Sequence, residues 1–422
     1  MRGRDAISKT IATLIIAVII VAVAGGIAVY YATLPTGPVV KEVKIGLVVP
    51  LTGPWALQGM YKKQGAELAI EEINAAGGIK SLGGAKLVLV VTDAGTTAES
   101  AASAAERLIT TEGIVAGIGA WLSSFTLAVT EVAERYKVPW LTLSFADSIT
   151  KGRGFKYVFQ TSAYSSDMAV LALDMLLELA KAQGVTIKRI ALVGDNTAAI
   201  VFFMKALREL IPAKGLEIVT DQVFTPPLAD ATPIALAVKA AKPHAVFYGA
   251  TNFPDSSLIL RKFKELDITL PIIGIGAWLT TPEYVAGVGA DLMEGIMAVT
   301  GSHLTKGWER LEEKYVSKYG KPFMIQDVVS TYAHIWIIKE ALEKAGTIDR
   351  TVLRDTISKI HITSGPATIL PGGSKYGIRF NEEGHRIVGD RPAYPVIVQW
   401  QGGKSWAVYP LEDATRPVKW PK

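Results

Sequence analysis

The hexapeptide Gly117-Ile118-Gly119-Ala120-Trp121-Leu122 recurs unchanged as Gly274-Ile275-Gly276-Ala277-Trp278-Leu279. Each copy closes a short apolar run, residues 114–118 in the first and 270–275 in the second, and each leads into residues with helical spacing. Ser123 and Ser124 follow the first copy; Thr280 and Thr281 follow the second. A strand that stops at glycine and runs on into a helix marks the carboxyl edge of an open α/β sheet, where ligands bind. The repeat therefore predicts two facing lobes, each presenting a tryptophan and hydroxyls to one cleft. Packing of each indole into its own core is the competing expectation.

Outward from the first copy, residues 44–50 (KIGLVVP) read as a buried strand and residues 86–92 (KLVLVVT) as a second, ending at Asp93. Helical spacing follows each, over residues 59–76 and 99–111, with Gly77-Gly78 as a stop signal. After glycines 152 and 154 the pattern restarts, with strands at 189–193, 216–224, 245–248 and 270–275 alternating with helices. Such alternation predicts parallel sheets covered on both faces. The second hexapeptide lies one strand later in its unit than the first, so the copies are not equivalent positions of a simple duplication. Residues 394–401 and 405–409 alternate as a late hairpin.

A chain of 422 residues exceeds one ordinary core, which favours two domains. Lys plus Arg number 44 against 39 Asp plus Glu, with no basic run dense enough to track phosphates, so nucleic acid is not an expected partner. There is no cysteine, which excludes disulfides, thiolate catalysis, cysteine-ligated zinc and a lipidated cysteine anchor. Residues 11–31 carry no charge and are long enough to span a hydrocarbon core of about 30 Å. Arg2, Arg4 and Lys9 precede them, placing a leader (1–10) in the cytoplasm, a transmembrane anchor at 11–32, a linker at 33–42 and the remainder outside. A cleavable signal ending near Ala22-Val23-Ala24 is the alternative.

The search for reacting groups finds no G-x-S-x-G elbow and no Walker A loop. The five histidines show no metal spacing, and neither metal nor cofactor is expected. Asp93, Asp147 and Asp195 sit at or near strand ends, where reaching a cleft and capping a helix are equally open. What remains is binding chemistry: strand-end loops rich in hydroxyls and aromatics, holding Trp55, Trp121, Ser123, Ser124 and Trp278. Hydroxyls and free N–H groups at helix starts suit a small anionic or amide head; indoles suit an apolar body.

Residues 44–54 (KIGLVVPLTGP), Gly65-Ala66, residues 71–79 (EEINAAGGI) and Asp93 before an alanine-rich helix resemble the opening of branched-chain amino acid substrate-binding proteins of ABC transporters. The resemblance continues through residues 119–124, 138–144, 189–193 and 247–249, and covers the chain from Val43 onward. It implies an α/β fold of two Rossmann-like doubly wound lobes joined by a three-crossover hinge, the type I periplasmic binding protein. One lobe would hold residues 43–161 with 300–375, and the other 162–299 with 376–422. It further implies a non-enzymic, monomeric extracytoplasmic domain that closes on a ligand and delivers it to permease subunits driven by cytoplasmic ATPases. A ligand-sensing ectodomain of the same fold is the alternative function.

By the same resemblance Ser123 holds the ligand carboxylate, Ser144 and Ala146 supply backbone contacts, and Gln58 lines the cleft. Thr251 or Asn252 stands where relatives carry a tyrosine, and Gly276 where they carry the acid that pairs with a ligand ammonium. Asp147 or Asp255 would then have to substitute. The expected ligand is a small acid or amide with an apolar or aromatic body, with a branched-chain amino acid as runner-up.

Overall fold

In the computed structural model, which describes residues 15, 17, 19–26 and 40–420, the strand read from residues 44–50 is β1 (Glu42–Val49). Its Val43, Ile45, Leu47 and Val48 are fully buried because β1 is internal to a sheet, flanked in parallel by β2 (Lys86–Asp93) and β3 (Ala116–Gly119). Two short strands, β4 (Trp140–Thr142) and β5 (Val158–Gln160), complete the order β2-β1-β3-β4-β5. Helices Ala56–Ala75, Ala98–Thr110 and Ser123–Arg135 connect the first four strands.

The second sheet repeats that order. Its parallel strands are β6 (Arg189–Asp195), β7 (Glu217–Phe224), β8 (Ala245–Gly249), β9 (Ile272–Ile275) and β10 (Met297–Thr300), arranged β10-β9-β8-β6-β7. β1 thus corresponds to β6 and β4 to β9. The first GIGAWL ends β3 and the second ends β9, one strand later, as the sequence indicated. In each sheet the strand order reverses direction beside the first strand, leaving crevices at the carboxyl ends of the strands.

The chain passes between the lobes three times. Helix Ser165–Ala182, after β5, packs beside helix Ala198–Ala213 of the second lobe. After β10 the chain returns, and helices Glu309–Tyr319 and Gln326–Ala345 pack against the first lobe. Gly65 permits that packing, since a Cβ there would lie 2.2 Å from the Val328 carbonyl oxygen. The late hairpin, β14 (Val396–Gln401) and β15 (Lys404–Tyr409), joins the second sheet beside β10.

In the late chain, where the sequence reading places residues from 376 in the second lobe, 379–392 form a small antiparallel sheet, β11 (Arg379–Phe380), β12 (Arg386–Val388) and β13 (Arg391–Pro392). This sheet attaches to the edge of the first one through a bridge between Gln160 and His385. His385 Nε2 lies 2.6 Å from the Ser162 carbonyl oxygen, and the buried Arg386 guanidinium donates to the Thr161 and Pro371 carbonyls at 2.8 and 2.9 Å. These bonds tie the first crossing to the segment that leads into the third.

Among the described residues no helix is long and apolar enough to cross a membrane. The leader at 1–10 and most of the expected anchor and linker lie outside the described residues; within them, residues 19–26 are helical.

Candidate functional site

The two tryptophans of the repeated hexapeptide meet. Their ring centroids are 6.4 Å apart with an interplanar angle of 83°, the edge-to-face arrangement that aromatic quadrupoles favour. Both are nearly buried, Trp121 at 9% and Trp278 at 3% exposure. Each is placed by its own loop. Trp121 has φ +81°, a conformation costly for a bulky residue. Its carbonyl is held by the Ser144 hydroxyl at 2.8 Å, and Ser144 is in turn fixed by Thr126 at 2.6 Å and Thr142 at 3.1 Å. Trp278 folds back over Gly276, where an added Cβ would sit 1.9 Å from the ring. Gly276 also has φ +100°, so glycine is required there twice over.

The indoles border a cavity of about 20 Å³, room for one or two waters. Trp121, Ser123 and Ser144 line it from one lobe, and Thr251 and Trp278 from the other. Ligand pockets run to roughly 300–1,000 Å³, so a ligand must part the indoles or the lobes.

Ser123 begins helix Ser123–Arg135, and its Oγ accepts from the backbone N–H groups of Phe145 and Ala146 at 3.2 and 3.1 Å. The hydroxyl proton is thereby left to donate. On the opposite lobe, Thr251 Oγ1 and Trp278 Nε1 are buried with no partner, the condition that a bound polar group relieves.

The remaining expected residues fall outside the cavity lining, for identifiable reasons. Asp147 accepts from Ser166 N and Oγ at 3.2 and 2.5 Å, and Asn252 caps helix Phe253–Glu265 through Asp255 N at 2.8 Å. Asp255 accepts from Leu228 N and from Asn252 Nδ2. Neither acid lines the cavity. Ala146 contributes its N–H to Ser123, Ser124 lies in the first turn of its helix, and Trp55 packs edge-on against Phe125 at 5.7 Å. Gln58 is fully buried, its side-chain atoms unpartnered, one helical turn before a lining residue. Asp93 and Asp195 are loop anchors. The former holds Leu51, Thr52 and Gly95; the latter holds Thr197 and Thr251. Burial raises the Asp195 carboxyl, with those donors opposing.

Sequence reasoning missed a buried ion pair beside the cavity. Lys62, which lines it, lies 3.4 Å from Asp327 Oδ1 and donates to Ser330 Oγ at 3.2 Å. Burial lowers the lysine pKa and raises that of the aspartate, while their mutual attraction opposes both shifts. Lys62 and the Trp121 indole approach the carboxylate without well-directed hydrogen bonds. A signal was available, because Lys62 lies four and seven residues before Ala66 and Ala69 on the apolar face of its helix.

A separate polar contact joins the lobes. Tyr61 donates to Glu283 Oε1 and Oε2 at 2.7 and 3.0 Å, and Lys321 donates to Oε1 at 2.9 Å with its ammonium 4.9 Å from the Tyr61 ring centroid. Tyr61 and Lys321 belong to the first lobe, and Glu283 follows the second GIGAWL. Burial and the neighbouring Glu283 carboxylate push the Tyr61 pKa far up, so its hydroxyl stays a donor. No cluster of three or more metal-ligating side chains occurs among the described residues.

A family model described as periplasmic binding protein matches residues 42–404. Leu/Ile/Val-binding protein homolog 7 of Brucella suis is 28% identical over 396 residues, covering 91% of this chain and 96% of its own. Homolog 8 of Brucella melitensis is 28% identical over 393 residues, covering 90% and 94%. Among solved structures, the branched-chain amino acid transporter substrate-binding protein of Streptococcus pneumoniae in complex with isoleucine superposes with a TM-score of 0.73. It is 21% identical and covers 86% of this chain and 98% of its own. A solute-binding protein of an ABC transporter from R. palustris in complex with benzoate gives 0.73 at 18% identity, covering 90% and 98%.

Proposed function

The chain belongs to the periplasmic binding protein family, branched-chain amino acid type, and on that premise we propose that it traps one small solute between its lobes and hands it to an ABC import permease. The observation that carries this is the convergence of polar groups from both lobes on one cavity. The Ser123 hydroxyl faces it from the first lobe; the unpartnered Thr251 hydroxyl and Trp278 indole N–H face it from the second. Hydrogen bonds made to both lobes at once favour the closed form by the ligand's differential affinity for it. The ligand is an amino acid or a related small acid or amide with an apolar or aromatic body. Isoleucine and benzoate, held by the two structural relatives, share a carboxylate on an apolar frame.

We assign residues 43–161 with 300–375 to one lobe, and 162–299 with the late hairpin to the other. The small sheet at 379–392 belongs to the hinge. Export is attributed to the uncharged segment at 11–31, which holds the binding domain on the outer face of the membrane. The test is a thermal-shift and tryptophan-fluorescence screen of the full chain against amino acids, aromatic acids and amides. A hit that stabilises the protein and alters its fluorescence is expected, with both responses reduced in Trp121→Ala and Trp278→Ala. Hits that leave both variants indistinguishable from wild type would remove the cleft from the mechanism.

A further inference from the structure

We infer that the solute is a carboxylate carrying no ammonium group, with Lys62 as its countercharge; this rests on the solute-binding reading above and names the ligand class of that same cleft. The polar groups facing the cavity are suited to donate. Lys62 has only donors, Trp278 offers a free indole N–H, and the Ser123 oxygen is already engaged by two backbone N–H groups. Gln326 accepts from Gly301 N through Oε1 at 2.7 Å, which leaves its amide N–H₂ as the uncommitted end. A cavity ringed by donors, with a buried ammonium among them, suits a group with two acceptor oxygens and a negative charge.

An ammonium on the ligand would meet no carboxylate in the cavity lining, only hydroxyl oxygens. No acidic side chain lines the cavity. Gly276 is closed to one, because the Trp278 ring occupies the space of any Cβ. Asp147, Asp195, Asp255 and Glu283 each bind donors of their own protein. Asp327, beside the lining residue Lys62, faces that lysine's amino group at 3.4 Å. A ligand ammonium there would sit beside a like charge, whereas a ligand carboxylate would complete the coordination of Lys62. Asp327 is thus a positioning residue, whose carboxylate favours the charged form of Lys62 against the effect of burial.

The test compares matched pairs on the full chain by calorimetry: leucine against 4-methylpentanoate, and phenylalanine against 3-phenylpropanoate. The acid lacking the amine is expected to bind at least tenfold tighter in one pair or both. Equal or tighter binding of the amino acid in each pair would overturn the inference and leave the transport reading intact; binding of no member of either pair would count against both. The second arm uses Lys62→Met, with Lys62→Met/Asp327→Asn guarding against a fold defect. Either variant should lower the affinity ratio of the acid to its primary amide by roughly 10- to 100-fold, as for loss of a charged hydrogen bond. An unchanged ratio in both would refute the role of Lys62.

Discussion

Replacing Glu283 by glutamine should hold the lobes apart for longer. The carboxylate receives the Tyr61 hydroxyl and the Lys321 ammonium, and the side chains of Lys321 and Glu283 are only 22% and 27% exposed. A hydrogen bond to a charged group contributes about 1.5–3 kcal/mol, and a partly exposed ion pair about 0.2–1 kcal/mol. Glutamine keeps the shape and a weaker hydrogen bond, so a net loss of roughly 1–2 kcal/mol is expected. Because the contact spans the lobes, that loss falls on the closed form alone. It multiplies the open-to-closed ratio by roughly 5–30 and weakens the apparent Kd by up to the same factor. Small-angle scattering of the unliganded protein should show a larger radius of gyration, and calorimetry the weaker Kd. Asp221→Asn is the control, since its pair with Arg208 lies within the second lobe. Unchanged affinity and radius in Glu283→Gln, or equal effects in the control, would refute the latch.

Three further outcomes follow from other parts of the molecule. Burial lowers both His303 and His385 from about 6.5 to about 4. The unfolded chain takes up these protons first as pH falls, so stability is full above about pH 6.5 and declines toward pH 4, by at most about 3 kcal/mol per histidine; a Tm flat across that range would contradict it. Arg386→Met removes the donors to the Thr161 and Pro371 carbonyls and should lower unfolding stability by about 2–4 kcal/mol, read by urea titration; a cost below 0.5 kcal/mol, roughly that of an ordinary surface change, would discount the clamp. Gly276→Asp should displace the Trp278 ring and strain the backbone held at φ +100°, reducing stability, and adding Trp278→Ala should relieve the ring clash alone and improve leucine binding relative to the deaminated acid; a fully stable single variant would show that neither the ring nor the backbone needs the glycine.

The fold was legible where strands are long and buried on both faces. β1 reads directly from its continuous apolar run. β5 and the strands of the small sheet, each two or three residues long, leave no periodic signal, so the sequence does not show them as strands. The tryptophans and Ser123 were visible because strand-end loops carry them. Lys62 and Asp327 were not, because an adjacent Lys62-Lys63 pair resembles a solvated helix face. Only the packing of helices Ala56–Ala75 and Gln326–Ala345 through Gly65 puts that charge inside. That position 276 is a glycine was evident from sequence, but the indole lying over it is a matter of side-chain placement.

The central claim is that one ligand is held from both lobes at once, and calorimetry on Ser123→Ala, Thr251→Val and the double variant tests it most directly. One ligand per chain is expected, with each single variant weakening binding by roughly 5- to 10-fold for a lost hydrogen bond. The effects should be coupled in the double variant, because both bonds form only on closure. A loss confined to one lobe's variant, or more than one ligand per chain, would contradict the account.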